Sequence, residues 1–125
     1  MGLVLMVVVS AASVQDRDGA RRLLELARCY YSRIVLVWAD AAYGGEWLEW
    51  VGKTCRWFVQ IVRRDETARR PHGFQVQPKR WIVERTFAWL CKYRRLVKDY
   101  EYLPRSSEAF IYLAMSHLML RRLSR

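Results

Sequence analysis

The chain has 125 residues, of which 53% are hydrophobic and 27% are charged, and it carries a formal net charge of +10 at pH 7. This balance excludes an intrinsically disordered chain, and the length allows one domain with a modest core rather than two. The positive charge favours a polyanionic partner, most often nucleic acid, over a surface that is charged only for solubility. Residues 56–105 hold 13 Lys or Arg against 5 Asp or Glu, so the basic residues are concentrated there.

The amino-terminal half predicts alternating strands and helices. The apolar residues 3–9 predict a buried β-strand, because the run is rich in Val and lacks the basic region that begins a signal peptide. A helix is predicted over residues 13–33 and a second strand over residues 33–40. Residues 46–53 predict a short helix, and residues 55–64 predict a further strand. This order is typical of an α/β domain whose sheet is at least partly parallel.

The carboxyl-terminal half predicts helices after a loop. Pro and Gly residues within 64–77 indicate that loop, and a long helix is predicted over 78–97. A last helix is predicted from Pro104 to Arg121 and Arg122, whose positive charges suit the carboxyl end of a helix dipole. The apolar part of this helix is too short to span a bilayer, so no membrane segment is predicted.

The cysteines and histidines do not form a metal-binding pattern. Cys29, Cys55 and Cys91 are widely spaced, and His72 and His117 lie far apart in the sequence. This spacing argues against a zinc site and against a disulfide framework. We expect the three thiols to be free and buried, as in a reducing cytosol.

Two acidic residues lie where carboxylates can carry chemistry. Asp40 ends the predicted second strand, and ligand sites in open α/β sheets lie beyond the carboxyl ends of parallel strands. Glu84 lies in the apolar run of the long helix, on one face with Trp81, Phe87 and Cys91. Burying a lone carboxylate among such residues is costly, so a partner is expected for Glu84.

Each acid also has a simpler interpretation. Asp40 is compatible with an ordinary turn-initiating residue, and Glu84 with a surface ion pair to Arg80 one helical turn earlier. In the functional alternative, Asp40 and Glu84 meet over a divalent cation, because hard cations take oxygen ligands. A basic domain with converging acids fits metal-dependent phosphodiester chemistry.

Four blocks of the sequence, in chain order, are SVQDRDGARRLLE, VWADAAYGG, GFQVQPKRWIVERTFAWLCKYRRLVKDYE and SSEAFIYLAMSHLMLRRL. Together these blocks span nearly the whole chain, and the third is highly specific. The chain resembles bacterial insertion-sequence transposases of the DDE class, which have a ribonuclease-H-like catalytic core. Such enzymes cleave DNA at the ends of the element and join the freed ends to target DNA.

The resemblance implies roles for particular residues. Asp40 corresponds to the second acid of the family's metal-binding triad and Glu84 to the third, with Mg²⁺ or Mn²⁺ as the expected cofactor. Arg80 matches the Arg that precedes this Glu in the family signature. Gln77 stands where the signature has Tyr, and Lys92 lies one residue after the signature Lys, so these two positions depart from the family pattern.

The resemblance also implies that the triad's first Asp and the first two strands of the core precede residue 1. The expected fold is therefore α/β, a partial ribonuclease-H-like core with a mixed sheet lacking its first two strands, helices packed on it and a C-terminal helical segment. We predict a single domain over residues 1–125, the C-terminal part of a catalytic domain. Strand cleavage by this chain alone is expected to be slight or nil, and the strands at 3–9 and 34–39 are expected to pair with each other or to leave the chain unstable.

The expected partner is double-stranded DNA, as the terminal repeats of the element and as target. An upstream transposase half or a full-length transposase is a further expected partner, and the expected location is the cytoplasm in association with the nucleoid. The alternative is a non-catalytic DNA-binding or inhibitory remnant, and a third possibility is an unrelated basic structural protein. The residues predicted to contact DNA phosphates are Arg63, Arg64, Lys79, Arg80, Arg85, Lys92, Arg94 and Arg95.

Overall fold

The computed structural model describes residues 3–62 and 80–124, without the side chain of Arg80. Its contacts form two compact units. The strand unit is Val14–Trp81, and the helical unit is Met1–Ser13 together with Ile82–Arg125. In the described residues the elements are α1 (Asp16–Tyr30), β1 (Leu36–Asp40), α2 (Glu46–Thr54), β2 (Phe58–Val62), α3 (Arg80–Leu90), α4 (Arg94–Val97) and α5 (Pro104–Leu123).

The strand unit is built on two parallel strands. In the ladder between β1 and β2, Leu36 lies opposite Phe58 and Asp40 lies opposite Val62. Neighbouring parallel strands need a crossover connection, and α2 supplies it. The predictions of a parallel pair and of helices on either side of β1 in the sequence are confirmed.

The core of the strand unit is formed mainly by α2 and the residues that follow it. Trp47 and Val51 lie one helical turn apart on the buried face of α2, and Val51 is fully buried. Cys55 and Trp57 extend this core towards β2, and Ala27 is the buried residue of α1, a helix that contacts α2. Burial of a Val side chain contributes about 1.5–3 kcal/mol relative to leaving it exposed.

Residues in left-handed conformations lie next to both ends of α2. Gly45 precedes the helix with φ 64° and ψ −135°, a conformation that a residue with a Cβ atom rarely adopts. Arg56 follows the C-terminal cap with φ 59°, at the position where Gly is most common after a helix. The chain therefore reverses direction sharply on both sides of α2.

Residues 3–9 do not form the predicted β-strand. The backbone N–H of Val7 donates to the hydroxyl of Tyr112 at 2.9 Å, and that of Val9 donates to Oε1 of Glu108 at 2.9 Å. Side chains of α5 therefore take the hydrogen bonds that a neighbouring strand would have taken. The described sheet consists of β1 and β2, so this prediction is wrong.

The long helix predicted over 78–97 is interrupted at Cys91–Tyr93. The N–H of Lys92 donates to the carbonyl of Trp89 at 3.3 Å, and the N–H of Tyr93 donates to that of Leu90 at 3.0 Å. These bonds span three residues rather than four, so the helix tightens and ends before α4 begins. The last helix is confirmed, with Pro104 at its first turn.

The three cysteines are free, but only Cys55 is buried. Cys29 and Cys91 are exposed, so the prediction of three buried thiols is wrong for these two. Cys29 lies in the last turn of α1, two residues after the buried Ala27, and Cys91 begins the turn after α3. Among the described helices, none combines the length and the apolar character needed to cross a bilayer.

Candidate metal ligands and basic surface

Asp40 is an exposed carboxylate at the carboxyl end of β1. Its Oδ1 accepts a hydrogen bond from the N–H of Ala42 at 2.9 Å, and its carbonyl accepts one from the N–H of Tyr43 at 3.2 Å. The Arg17 side chain donates to the carbonyl of Ala42 at 2.9 Å, which fixes the turn to α1. Within the described residues no hydrogen bond reaches Oδ2, so this oxygen is open to a cation. The turn-initiating interpretation is confirmed and leaves one oxygen for binding.

The pKa of Tyr43 is affected by the negative charge of Asp40. Burial raises the pKa of the Tyr43 hydroxyl, and the negative charges of Asp16 and Asp40 raise it further. Its ring lies 4.9 Å from that of Trp47, centroid to centroid, which joins the turn to the core. Asp16 and Asp40 are therefore both close enough to the Tyr43 hydroxyl to act on its pKa.

Glu84 lies on α3 and is exposed. Its neighbours on the same face are exposed as well, Trp81 by 46% and Phe87 by 62%. The predicted ion pair between Arg80 and Glu84 involves a side chain outside the described residues. That this face of α3 approaches the sheet stays a prediction.

The two carboxylates lie in different units, Asp40 in the strand unit and Glu84 in the helical unit. Their shared cation stays a prediction. In the described part of the chain, no cluster of three or more His, Cys, Asp or Glu side chains is arranged to hold a metal ion. The donor chemistry does fit Mg²⁺, because both residues offer carboxylate oxygens and both are exposed.

The residues predicted to contact DNA phosphates differ in their exposure and in the contacts of their side chains. Arg63, Arg64, Lys79 and the side chain of Arg80 lie outside the described residues. The guanidinium of Arg85 lies over the ring of Trp89, with 4.6 Å from Cζ to the ring centroid. Lys92 and Arg94 are exposed.

Arg95 has an acidic partner. Its Nε and Nη2 donate to Oε1 of Glu101 at 2.9 and 2.7 Å. Its Cζ also lies 5.0 Å from the centroid of the Phe110 ring. Because Glu101 offsets its charge, Arg95 is expected to attract a DNA phosphate less strongly than it would without this partner.

Comparison with known families gives one result. The model of a family described as transposase DDE domain matches residues 1–119. The chain belongs to this family. Neither the curated proteins nor the solved structures gave a match. The resemblance to DDE-class transposases is therefore confirmed, and the chain is assigned to DNA transposition, with DNA as the substrate of its family.

This transposase domain has two basic residues whose sequence positions indicate only helix-terminal charges. Arg121 and Arg122 are exposed in the last turn of α5. The Cζ atom of Arg122 lies 4.3 Å from the centroid of the Trp89 ring, so it approaches the same ring as Arg85. The sequence signal was an Arg pair among apolar residues, which does not reveal that Trp89 lies beside it.

Proposed function

We propose that this transposase domain supplies two of the three metal-binding carboxylates, Asp40 and Glu84, for DNA cleavage and strand transfer at insertion-sequence ends. The observation that carries the proposal is the position of Asp40. It lies at the carboxyl end of a parallel strand, where α/β folds place their ligands, in a chain that matches the transposase DDE domain. Glu84 is the second proposed ligand because it is the exposed acid of α3, in the block most specific to the family.

The chemistry exchanges one phosphorus–oxygen bond for another. In the cleavage step, water forms a bond to phosphorus and loses a proton to solvent, the bond from phosphorus to the 3′ oxygen breaks, and the leaving 3′ oxygen takes up a proton from solvent. This step yields a 3′-hydroxyl and a 5′-phosphate. In strand transfer the freed 3′-hydroxyl attacks a target phosphodiester and displaces its 3′ oxygen, so no oxidant or energy source is needed. Mg²⁺ or Mn²⁺ held by Asp40 and Glu84 would supply activation of the attacking oxygen and stabilisation of charge on the leaving one.

In this proposal the acidic residues of the chain bind the cation and the basic residues bind DNA phosphates. Asp40 and Glu84 would hold the cation through carboxylate oxygens. Arg85, Lys92 and Arg94 would hold DNA phosphates, because cations attract the backbone without reading its sequence. The third carboxylate, the family's first Asp, would complete the cation site.

Metal binding tests the proposal without requiring activity. Calorimetric titration with Mn²⁺ should show binding to the wild-type chain that weakens at least tenfold in Asp40→Asn and in Glu84→Gln. The matched control is Glu49→Gln, an exposed acid of α2 that pairs with Lys53 and belongs to neither proposed ligand. Equal Mn²⁺ affinity in the wild type and in both ligand variants would rule out the assignment.

Cleavage tests the complete site. The chain should be combined with an upstream transposase segment that carries the first Asp, a terminal-repeat duplex and Mg²⁺. Strand cleavage is expected with the wild-type chain and is expected to disappear in Glu84→Gln.

A second candidate function is non-catalytic DNA binding, or inhibition of full-length transposase by mixing with it. The net charge of +10 favours this candidate, because positive charge attracts the DNA backbone whether or not a metal ion is bound. Salt-sensitive binding to the terminal-repeat duplex, with no cleavage under any combination of chains and metal, would support it. Unchanged binding in Asp40→Asn and Glu84→Gln would agree with that outcome.

A further inference from the structure

The helical unit contains a basic cleft that the proposed metal site does not use. The α3–α5 cleft lies between the carboxyl-terminal ends of α3 and α5 and has a volume of about 440 Å³. Its lining includes Trp89, Lys92, Tyr93, His117, Arg121 and Arg122. A volume of a few hundred Å³ is enough for a group the size of a nucleotide.

The charge of the α3–α5 cleft is positive and uncompensated. Lys92, Arg121 and Arg122 all face it, and no acidic side chain lines it in the described part of the chain. None of these three cations forms an ion pair with an acidic side chain among residues 3–62 and 80–124. Three cations gathered without a counter-charge repel one another, and a bound anion would relieve that repulsion.

Aromatic contacts hold part of the cleft in place before any ligand binds. The guanidinium of Arg122 lies over Trp89, and this contact leaves the N–H groups in the guanidinium plane able to point outwards. On the other side, the hydroxyl of Tyr93 and Nδ1 of His117 are hydrogen-bonded at 2.9 Å. The rings of these two residues meet edge to face at 5.8 Å, which fixes the wall of the cleft.

We propose that the α3–α5 cleft is a phosphate-binding site that holds backbone phosphates of DNA, with Lys92, Arg121 and Arg122 as its ligands. A guanidinium matches the geometry of a phosphate through two parallel N–H···O bonds, and Lys92 adds a point charge. This inference rests on the proposed function, because it takes DNA as the source of the phosphates.

The simpler interpretation is that Arg121 and Arg122 only stabilise the carboxyl end of α5. Cations at that end gain about 0.3–1 kcal/mol from the helix dipole. The dipole accounts for positive charge in the last turn, but it does not account for Lys92, which comes from the turn after α3. Convergence from two segments on one cleft is what a ligand site requires.

The decisive experiment measures duplex DNA binding by fluorescence anisotropy at several salt concentrations. The test variant is Lys92→Gln with Arg121→Gln, since both side chains are exposed and their replacement leaves no buried gap. Its affinity should fall about tenfold, and the slope of log K against log salt should fall by about two, as for two lost phosphate contacts. The control for loss of positive charge is Arg105→Gln, which removes one charge about 25 Å from Arg121 on the same helix and should leave the slope unchanged.

The outcomes separate this inference from the proposed function. If the paired variant binds duplex DNA as Arg105→Gln does, the inference is overturned, while Mn²⁺ binding at Asp40 and Glu84 is unaffected. If the wild-type chain shows no salt-dependent duplex binding, both DNA as the partner and this inference are overturned.

Two further probes identify the source of the phosphate. Inorganic phosphate should shift the Trp89 indole signal in nuclear magnetic resonance spectra of the wild type but not of the paired variant. A shift with phosphate, together with no binding of DNA, would overturn DNA as the source. Competition by poly-glutamate as strong as that by DNA would overturn the preference for phosphate and indicate an acidic protein partner.

Discussion

Tyr43 lies three residues after Asp40, and its hydroxyl titrates under the influence of that carboxylate. Burial raises the pKa of Tyr43, and Asp16 and then Asp40 add negative charges that raise it further. A raised pKa in the folded state means that protonated Tyr43 contributes stability below the ordinary tyrosine pKa. That stability is lost as the pH rises through the folded-state pKa.

Replacing Asp40 should therefore lower the pKa of Tyr43. In Asp40→Asn one of the charges that oppose formation of the phenolate is removed, so Tyr43 should ionise at lower pH than in the wild type. The measurement is a titration of phenolate absorbance, with Tyr43→Phe used to assign the signal. Glu49→Gln is the control, because Glu49 does not act on Tyr43. An unchanged titration in Asp40→Asn would contradict the closeness of the two groups.

Gly45 should be the less replaceable of two glycines around α2. With φ 64° and ψ −135° at this position, Gly45→Ala should destabilise the fold by about 1–3 kcal/mol. The added Cβ would meet no atom within 4 Å, so the cost is conformational rather than steric. Gly52 lies within α2 and is equally open, so Gly52→Ala should stabilise by roughly 0.5–1 kcal/mol. Urea denaturation of the two variants should give shifts of opposite sign.

Replacing Arg56 by Gly should stabilise the fold, whereas replacing Gly45 by Ala should destabilise it. It adopts φ 59° with a Cβ atom, so Arg56→Gly should remove strain and raise the free energy of unfolding by up to about 1 kcal/mol. Lys53→Gly, within α2, should instead lower it by about 1 kcal/mol, because Gly is a poor helix former. Thermal unfolding of both variants would check this, and destabilisation by Arg56→Gly would show that its side chain has contacts that matter more than strain.

The elements that could be predicted from the sequence are those fixed by local pattern. The periodicity of α1, the β-branched run of β1 and Pro104 at the start of α5 each carry their own signal. The position of Asp40 followed from the end of β1 in the same way. The family match then confirmed the resemblance carried by the four sequence blocks.

The features that could not be predicted depend on partners distant in the sequence. Residues 3–9 have the composition of a strand, but Tyr112 and Glu108 of α5 take two of their backbone N–H groups. The break after α3 contains neither Gly nor Pro, and Tyr93 there is hydrogen-bonded to His117. Local propensity cannot reveal such contacts, because they form only when the helices pack.

Cys55 should react more slowly than the other two thiols. Burial raises its pKa, Arg28 lowers it and Glu25 raises it, with a net upward shift. Because the thiolate is the nucleophile, maleimide at about pH 8 should label Cys29 and Cys91 first. Mass spectrometry of timed samples would show the order. In denaturant the three rates should converge, and equal rates in the folded protein would contradict the burial of Cys55.

Ser107 and Asp99 connect α5 to the segment before it. The buried Ser107 hydroxyl lies 2.9 Å from each carboxylate oxygen of Asp99, which also accepts the N–H of Glu101 at 3.1 Å. Ser107→Ala should lower the free energy of unfolding by about 1–2 kcal/mol, because a hydrogen bond to a charged group is lost. Ser106→Ala is the matched control next to it and should have a smaller effect. In an Asp99→Ala background, Ser107→Ala should no longer change the free energy of unfolding, since the Ser107 hydroxyl would then have no carboxylate to bind. Urea denaturation of the four variants would measure these free energies.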